Sequence, residues 1–271
     1  MKTEIIKNMN EIIPLGINGF FPYNCRQTAC YLIIKNETVI ILDAGSGISG
    51  LLSSEIKNKI QGKHLHIILS HYHLDHTCGL SYIPGVVNNN QITLYCPVKP
   101  LVKTKNSNIL KKLLSPPLYS LKLENLPITI KDINNDKFKI NDININLVKQ
   151  YHPGGSVGIR IDDDVVYITD TIVSDNTAKF AKNVKLLLHE IWITNKELKT
   201  ASLEADGKKQ EEKHSFESGV VKIALSSGCK GFMPIHMPPH RTQNEIKSLV
   251  NRIAAKGINV YPPIEFTPIP F

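Results

Sequence analysis

Hydrophobic and polar positions change rhythm along this chain. In its first third, short apolar runs are separated by turn-like clusters. "ACYLIIKNETVIILDAG" holds two β-rich runs, Tyr31–Ile34 and Thr38–Leu42, around "KNET", which predicts two strands and a tight turn. "HLHIILSH" is a continuous apolar run, as in a strand buried on both faces. Between them, "GISGLLSSEIKNKIQG" predicts a helix closed by Gly62. Further strands are predicted at "QITLYC", "ITIKDI" and "ININLV", with "NNN" at 88–90 as a loop. "VVYITD" reads as a strand ending in the carboxylate of Asp170, and "VKLLLHEIW" as one ending near His189 and Glu190. The last third is helical. "HSFESGVVKIALSSG" carries Phe216, Val220, Val221, Ala224 and Leu225 on one face and stops at Gly228. "TQNEIKSLVNRIAAKG" opens with Thr242 and Glu245 in capping-box spacing, with Ile246, Leu249, Val250 and Ile253 as its apolar stripe. No repeat, low-complexity linker or composition shift divides the chain, so one α/β domain over residues 1–271 is expected.

Composition narrows the class. The chain has 271 residues, 42% of them hydrophobic, enough for a sizeable core. The opening "MKTEIIKNMNEIIPLG" is interrupted by Lys7, Asn8, Asn10 and Glu11, so it does not read as a signal peptide, and no apolar run is long enough for a membrane span. Five scattered cysteines without a C-x-x-C pair speak against a disulfide framework or a cysteine zinc site. A cytoplasmic setting is expected. The net charge of +8 is spread along the chain and fits a solvated surface; only "VKTKNSNILKK" clusters lysines in a way that suits an anionic partner.

The chemistry gathers where the apolar runs stop. His71 to His76 read H-x-H-x-D-H directly after a buried strand. A core does not tolerate such a density of polar groups without partners, and a surface loop does not need it. A metal site explains it, because neutral imidazole and carboxylate are the usual ligands of zinc and similar ions. His152, Asp170 and His236 also follow predicted strands, where rigid scaffolds present reactive groups.

These stretches resemble the metallo-β-lactamase fold superfamily and, within it, the phosphodiesterase branch around ribonuclease Z. "LGINGFFPYNCRQTACYLI" with "ILDAG" is similar to that branch's opening, "HYHLDH" to its signature and "YHPGGSVGIRI" to its third motif. "YITDT", "LLLHEIW", "KHSFESG" and "GFMPIH" resemble the later motifs. The resemblance implies a four-layer αββα sandwich. It implies one metal on His71, His73 and His152, a second on Asp75, His76 and His236, and Asp170 bridging both. It gives the role of general acid to His214, with Glu190 holding its imidazole, and includes Asp75 in the catalytic set. His64, His66 and His240 match no ligand position and read as structural or surface residues.

Elementary chemistry agrees. Two divalent ions ~3.5–4 Å apart hold a hydroxide at neutral pH and clamp a displacement at phosphorus. Two such ions bring about +4, and Asp75, Asp170 and a hydroxide remove about 3, leaving a charge suited to a phosphodiester monoanion. An alkoxide is a poor leaving group unless protonated, which is work for an imidazole. Zinc fits the ligands; manganese or iron fit the same set.

Three departures steer the substrate expectation. Transfer-RNA-trimming relatives carry a long arm between the third-motif histidine and the bridging aspartate, whereas His152 and Asp170 are separated only by "PGGSVGIRIDDDVVYIT", a strand, a turn and a strand. Pro234 also interrupts the last strand, and "HEIW" ends its motif unusually. The expected activity is therefore hydrolysis of a small or cyclic nucleotide-type phosphodiester. A ribonuclease Z-type transfer-RNA 3′-processing endonuclease, with "VKTKNSNILKK" as its RNA grip, and a metal-dependent thioesterase or lactamase-like hydrolase are the alternatives. No membrane partner is expected; the oligomeric state is not legible in the sequence, and such relatives are commonly homodimers.

Overall fold

The computed structural model describes residues 10–86, 90–201 and 213–271. The expected loop at 88–90 lies, except for Asn90, outside the described residues, as do the first nine positions of the chain. Two sheets form the frame. One has the order β13-β1-β2-β3-β4-β5-β6 and the other β12-β11-β10-β9-β8-β7. The first is built from β1 (Glu11–Gly16), β2 (Cys30–Lys35), β3 (Thr38–Leu42), β4 (Leu65–Ile68), β5 (Ile92–Pro97), β6 (Ile128–Ile133) and β13 (Ile269–Pro270). The second holds β7 (Lys137–Ile140), β8 (Ile143–Gln150), β9 (Ser156–Ile161), β10 (Val165–Ile168), β11 (Leu186–Glu190) and β12 (Gly231–Ile235).

The continuous apolar runs follow from burial on both faces of each sheet. Along β2, Tyr31 and Ile33 point into the space between the sheets, where they meet Ile159, Tyr167 and Leu188. Cys30 and Leu32 point the other way, toward Ile48, Ile56 and Leu80 of the outer helical layer. On the second sheet, Val166, Ile168 and Leu187 face Val220, Ile223, Leu249 and Ile253 of the helices Glu217–Ser227 and Gln243–Ala254. Side-chain alternation with period two thus feeds three apolar layers, and the result is the expected αββα sandwich.

Several expectations need adjustment. The helix expected over 47–62 is a 3₁₀ segment, Ser46–Leu52, followed by an α-helix, Ser54–Ile60, because Ser53 between them is extended at φ −60° and ψ 140°. The strand expected to end at Asp170 ends at Ile168. Strand β1 was hidden by Pro14, which sits opposite Tyr31 just before a register shift and so costs the ladder little. Pro234 is accommodated within β12, which is the edge strand of its sheet and pairs with β11 on one side, Pro234 lying opposite His189. The Thr242–Glu245 capping box forms as expected, and the helix before Gly228 ends with that glycine in the left-handed region.

Strand direction creates the functional edge. Strands β3, β4 and β5 are parallel, as are β10, β11 and β12. Strand β9 is antiparallel to both β8 and β10, so β8 and β10 run the same way. The segments after β3, β4, β8, β10 and β12 carry Asp43, His71–His76, His152, Asp170 and His236 respectively, and Glu190 is the last residue of β11.

Candidate metal centre

The side chains that follow these strands converge. His71, His73, His152 and Asp170 present ligand atoms that all lie within 4.8 Å of one another, and so do Asp75, His76 and His236. Asp170 lies between the two groups. Its Oδ1 is 3.2 Å from His152 Nε2, and its Oδ2 is 2.9 Å from His76 Nε2 and 3.1 Å from His236 Nε2. His236 Nε2 is also 3.2 Å from Asp75 Oδ2, and His152 Nε2 is 3.1 Å from His73 Nδ1.

The imidazoles are set to offer lone pairs inward. His76 Nδ1 lies 2.7 Å from Asp43 Oδ2 and donates to it, which leaves Nε2 free to ligate. Ser70 Oγ donates to Asp43 at 2.8 Å and accepts from His71 Nδ1 at 3.0 Å, so His71 Nε2 carries a lone pair. That Nε2 is buried and has no hydrogen-bond partner among the described residues. Burial holds His71 well below the usual imidazole pKa, helped by the neighbouring His76, so it stays neutral. A neutral, buried, unpartnered imidazole nitrogen among carboxylates is the donor a divalent ion requires.

The field at the second group calls for positive charge. Burial works against a charged His236, yet the Asp170 carboxylate and hydrogen bonds to Asp75 and Glu190 outweigh it and push its pKa up to about 10. A cation at the meeting point of Asp75, Asp170 and the Nε2 atoms would satisfy the same field. The residues present therefore fit divalent metal.

Asp43 belongs to the site although the sequence patterns assign it no role. It is fully buried, lies at φ +59°, and accepts from Ser70 N, Ser70 Oγ, His76 Nδ1 and the Tyr167 hydroxyl at 2.6 to 2.8 Å. Tyr167 belongs to the opposite sheet, so Asp43 ties the two sheets together beneath the histidines. Its signal was an aspartate directly after an apolar strand, "IILDAG". Asp170 and His236 share its left-handed backbone, at φ +48° and +51°. Three strained positions at one edge mark a site where geometry is enforced by the surroundings; aspartate and histidine tolerate that region better than most residues.

Beside the ligand groups stands a second pair. His214 Nδ1 is 3.1 Å from Glu190 Oε2. Glu190 is fully buried and also accepts from Thr171 N at 3.0 Å and Ser215 N at 2.9 Å, with His236 Nδ1 3.3 Å away. Burial opposes its charge, but His214, by its field and its hydrogen bond, leads the groups that hold its pKa down to about 2. Trp192 lies flat against His214, with ring centroids 4.5 Å apart. On the other flank, Phe20 N donates to Asp75 Oδ2 at 2.7 Å. Gly19 makes this approach feasible, because a Cβ there would lie 2.4 Å from His236 Cε1 and 2.7 Å from the Trp192 ring.

The remaining histidines stay outside the cluster. His64 and His66 stack on each other at 4.3 Å, His66 Nδ1 lies 3.2 Å from the Tyr95 hydroxyl, and burial lowers the His66 pKa to about 4. His240 is exposed. His189 is buried within β11, with Nδ1 donating to the Glu190 carbonyl at 2.9 Å.

The sandwich and the polar cluster at its strand ends define a metal-dependent hydrolase of the metallo-β-lactamase fold. The chain belongs to the family of the anti-Pycsar protein Apyc1, whose profile matches residues 11–205. That span includes every candidate ligand except His236, and it includes Glu190 but not His214. A ribonuclease Z of Prochlorococcus marinus (strain MIT 9515) is 25% identical over 294 residues, covering 86% of this chain and 89% of that relative. Among solved structures, the metallo-β-lactamase fold protein YhfI from Bacillus subtilis superposes with a TM-score of 0.71 at 20% identity, covering 97% of this chain and 99% of YhfI. A diphosphatase from the PhnP family superposes with a TM-score of 0.68 at 14% identity, covering 97% and 98%. Between His152 and Asp170 the described chain forms only the antiparallel pair β9 and β10.

Proposed function

We propose that this protein is a two-metal phosphodiesterase that hydrolyses small, cyclic nucleotide-type phosphodiesters. The observation that carries the reading is the His214–Glu190 pair at 3.1 Å beside the ligand groups. Expelling a sugar alkoxide from phosphorus requires a proton donor, whereas a thiolate leaves a thioester without one. Membership of a family of cyclic nucleotide phosphodiesterases supports the same substrate class. The short β9–β10 hairpin leaves no RNA-gripping arm between His152 and Asp170, which favours a small substrate over transfer RNA.

In this reading His71, His73 and His152 hold one divalent ion, Asp75, His76 and His236 hold the other, and Asp170 bridges. The bound metals would supply Lewis acidity at phosphorus and a nucleophile at neutral pH. The chain's own residues do the rest. Asp43, through His76 directly and through Ser70 to His71, fixes the ring orientations. Glu190 accepts from His214 Nδ1, which turns Nε2 outward as the atom that hands its proton to the departing oxygen. The leaving group departs as an alcohol, and His214 is reprotonated from solvent.

The test is a comparison of substrates on metal-loaded protein. Turnover of 3′,5′-cyclic nucleotides with little trimming of precursor transfer RNA is expected. Efficient 3′-end trimming with no cyclic nucleotide hydrolysis would overturn the reading.

A further inference from the structure

A third set of ligand atoms overlaps the two already described. Asp170, Glu190, His214 and His236 also present nitrogen or oxygen atoms that all lie within 4.8 Å of one another. The separations have the scale of a coordination shell. His214 Nδ1 lies 3.1 Å from Glu190 Oε2 and 3.9 Å from Asp170 Oδ1. Ligands held at ~2.0–2.2 Å around a tetrahedral zinc stand about 3.3–3.6 Å apart, so small side-chain shifts close a shell on these atoms. Glu190 tolerates such an ion. Its Oε1 takes both backbone N–H groups, from Thr171 and Ser215, whereas Oε2 faces the Nδ1 atoms of His214 and His236. An ion that replaces the His214 Nδ1 proton leaves both backbone bonds in place.

We propose that His214, Glu190 and Asp170 form a third, weaker site for zinc, and that filling it switches off the residue that protonates the leaving group. The proposal rests on the phosphodiesterase reading for the role of His214 and adds an inhibitory metal site built from that same residue. The exchange balances. As an imidazolium, His214 holds a proton on each nitrogen; the ion takes the Nδ1 lone pair and that proton goes to solvent. The ring keeps its Nε2 proton, but an imidazolium yields a proton near neutral pH and a neutral, metal-bound imidazole does not. The leaving oxygen is then left without a donor.

Charge and ligand type set the strength and selectivity of this site. His236 is engaged by the second ion through Nε2, so solvent completes the third shell. Asp170 is shared with both other ions, and Glu190 is the one carboxylate the third ion adds. A charge of about +2 therefore arrives with about −1 to offset it, beside two ions that repel it. The site fills only when metal is in excess. The imidazole nitrogen favours zinc, which binds nitrogen ligands more tightly than manganese does. Trp192, stacked on the His214 ring with planes 16° apart, keeps Nδ1 turned toward Glu190.

The experiment uses full-length protein dialysed against rising free zinc. Bound metal is counted by elemental analysis, and turnover of a 3′,5′-cyclic nucleotide and of bis-nitrophenyl phosphate is followed in the same solutions. The wild type should take up one ion more than His214→Ala, at zinc well above that which fills the first two positions. Cyclic nucleotide turnover should fall with the same midpoint to about a tenth or less, the scale of a lost general acid. Bis-nitrophenyl phosphate, whose leaving group needs no proton, should be largely spared, and manganese at the same excess should inhibit far less. If His214→Ala does not fold, His214→Gln, which keeps the bulk without the imidazole, takes its place. Equal ion counts in the wild type and the folded variant overturn the site. Unchanged cyclic nucleotide turnover as the extra ion binds, or equal loss on both substrates, overturns the switch. A wild type inert toward every cyclic nucleotide overturns the phosphodiesterase reading instead, while the ion count still decides the third site.

Discussion

Trp192 lies parallel to His214, with ring centroids 4.5 Å apart and planes 16° apart. The tryptophan is itself fixed by its backbone: its N donates to the Ser215 carbonyl at 3.1 Å, and its carbonyl accepts from Arg241 Nη2 at 2.8 Å. The unusual ending of "HEIW" thus supplies a flat support for the imidazole that Glu190 orients from the side.

Removing that support should cost catalysis selectively. Trp192→Ala should lower kcat on cyclic nucleotides by roughly two- to ten-fold, the value of an aromatic stack of ~0.5–1.5 kcal/mol. Trp192→Phe should recover most of it. A nitrophenolate ester, whose leaving group departs without a proton, should be turned over almost normally by both variants. Equal losses on both substrates would show that Trp192 acts on the metals instead.

His214→Ala should lose ~10²–10⁴-fold on a nucleotide substrate while keeping its metals and largely sparing bis-nitrophenyl phosphate. Glu190→Gln should be more than a milder copy of it. Glu190 accepts from two buried backbone N–H groups and lies 3.3 Å from His236 Nδ1, so an amide there sets an N–H against other donors and disturbs a proposed ligand. Elemental analysis should find metal loss in Glu190→Gln but not in His214→Ala.

Asp43→Ala should weaken metal binding by ~10–100-fold, as outer groups that orient ligating histidines commonly do. The carboxylate touches His76 directly and reaches His71 through Ser70, so both proposed ion positions should suffer. Titration with a chelator distinguishes this from a change in turnover alone.

Glu265 makes a prediction about pH. Its Oε1 accepts from Gln27 N at 2.7 Å and Ile17 N at 3.3 Å, joining both ends of the segment that carries Gly19 and Phe20. Burial raises its pKa to about 7 against the two backbone hydrogen bonds and Arg26. A carboxyl with a raised folded pKa favours the protonated folded state, so its contribution is present below the unfolded value and is lost as pH rises toward 7. The size is about 2 kcal/mol, discounted for a half-buried position. Melting curves should show the wild type losing stability relative to Glu265→Gln between pH ~5 and ~8. Parallel curves would contradict a protonated Glu265 in the fold.

Legibility in the sequence followed physical cause. Strands buried on both faces announced themselves as continuous apolar runs, so β2 to β5, β10 and β11 were readable. The cluster His71–His76 was readable because neither a packed core nor an ordinary surface loop carries polar groups at that density. Strand β1 was obscured by Pro14, and β7, with its alternating lysines in "KFKI", by its exposed edge position. The role of Asp43 depends on Tyr167, 124 positions away, and on two sheets meeting, which no local pattern contains. Trp192 could be singled out only as a departure; its contact with His214 is a product of the fold.

Every role proposed for these residues depends on ligands from several strand ends forming one site for two metals bridged by Asp170. Native mass spectrometry of protein reconstituted with zinc or manganese tests this most directly, alongside Asp170→Ala. About two divalent ions per chain are expected in the wild type, and loss of metal and activity together in Asp170→Ala, because a bridging carboxylate offsets the repulsion between the ions. At most one ion in the reconstituted wild type, or an Asp170→Ala protein that keeps both ions and near-normal turnover, would contradict the two-metal site.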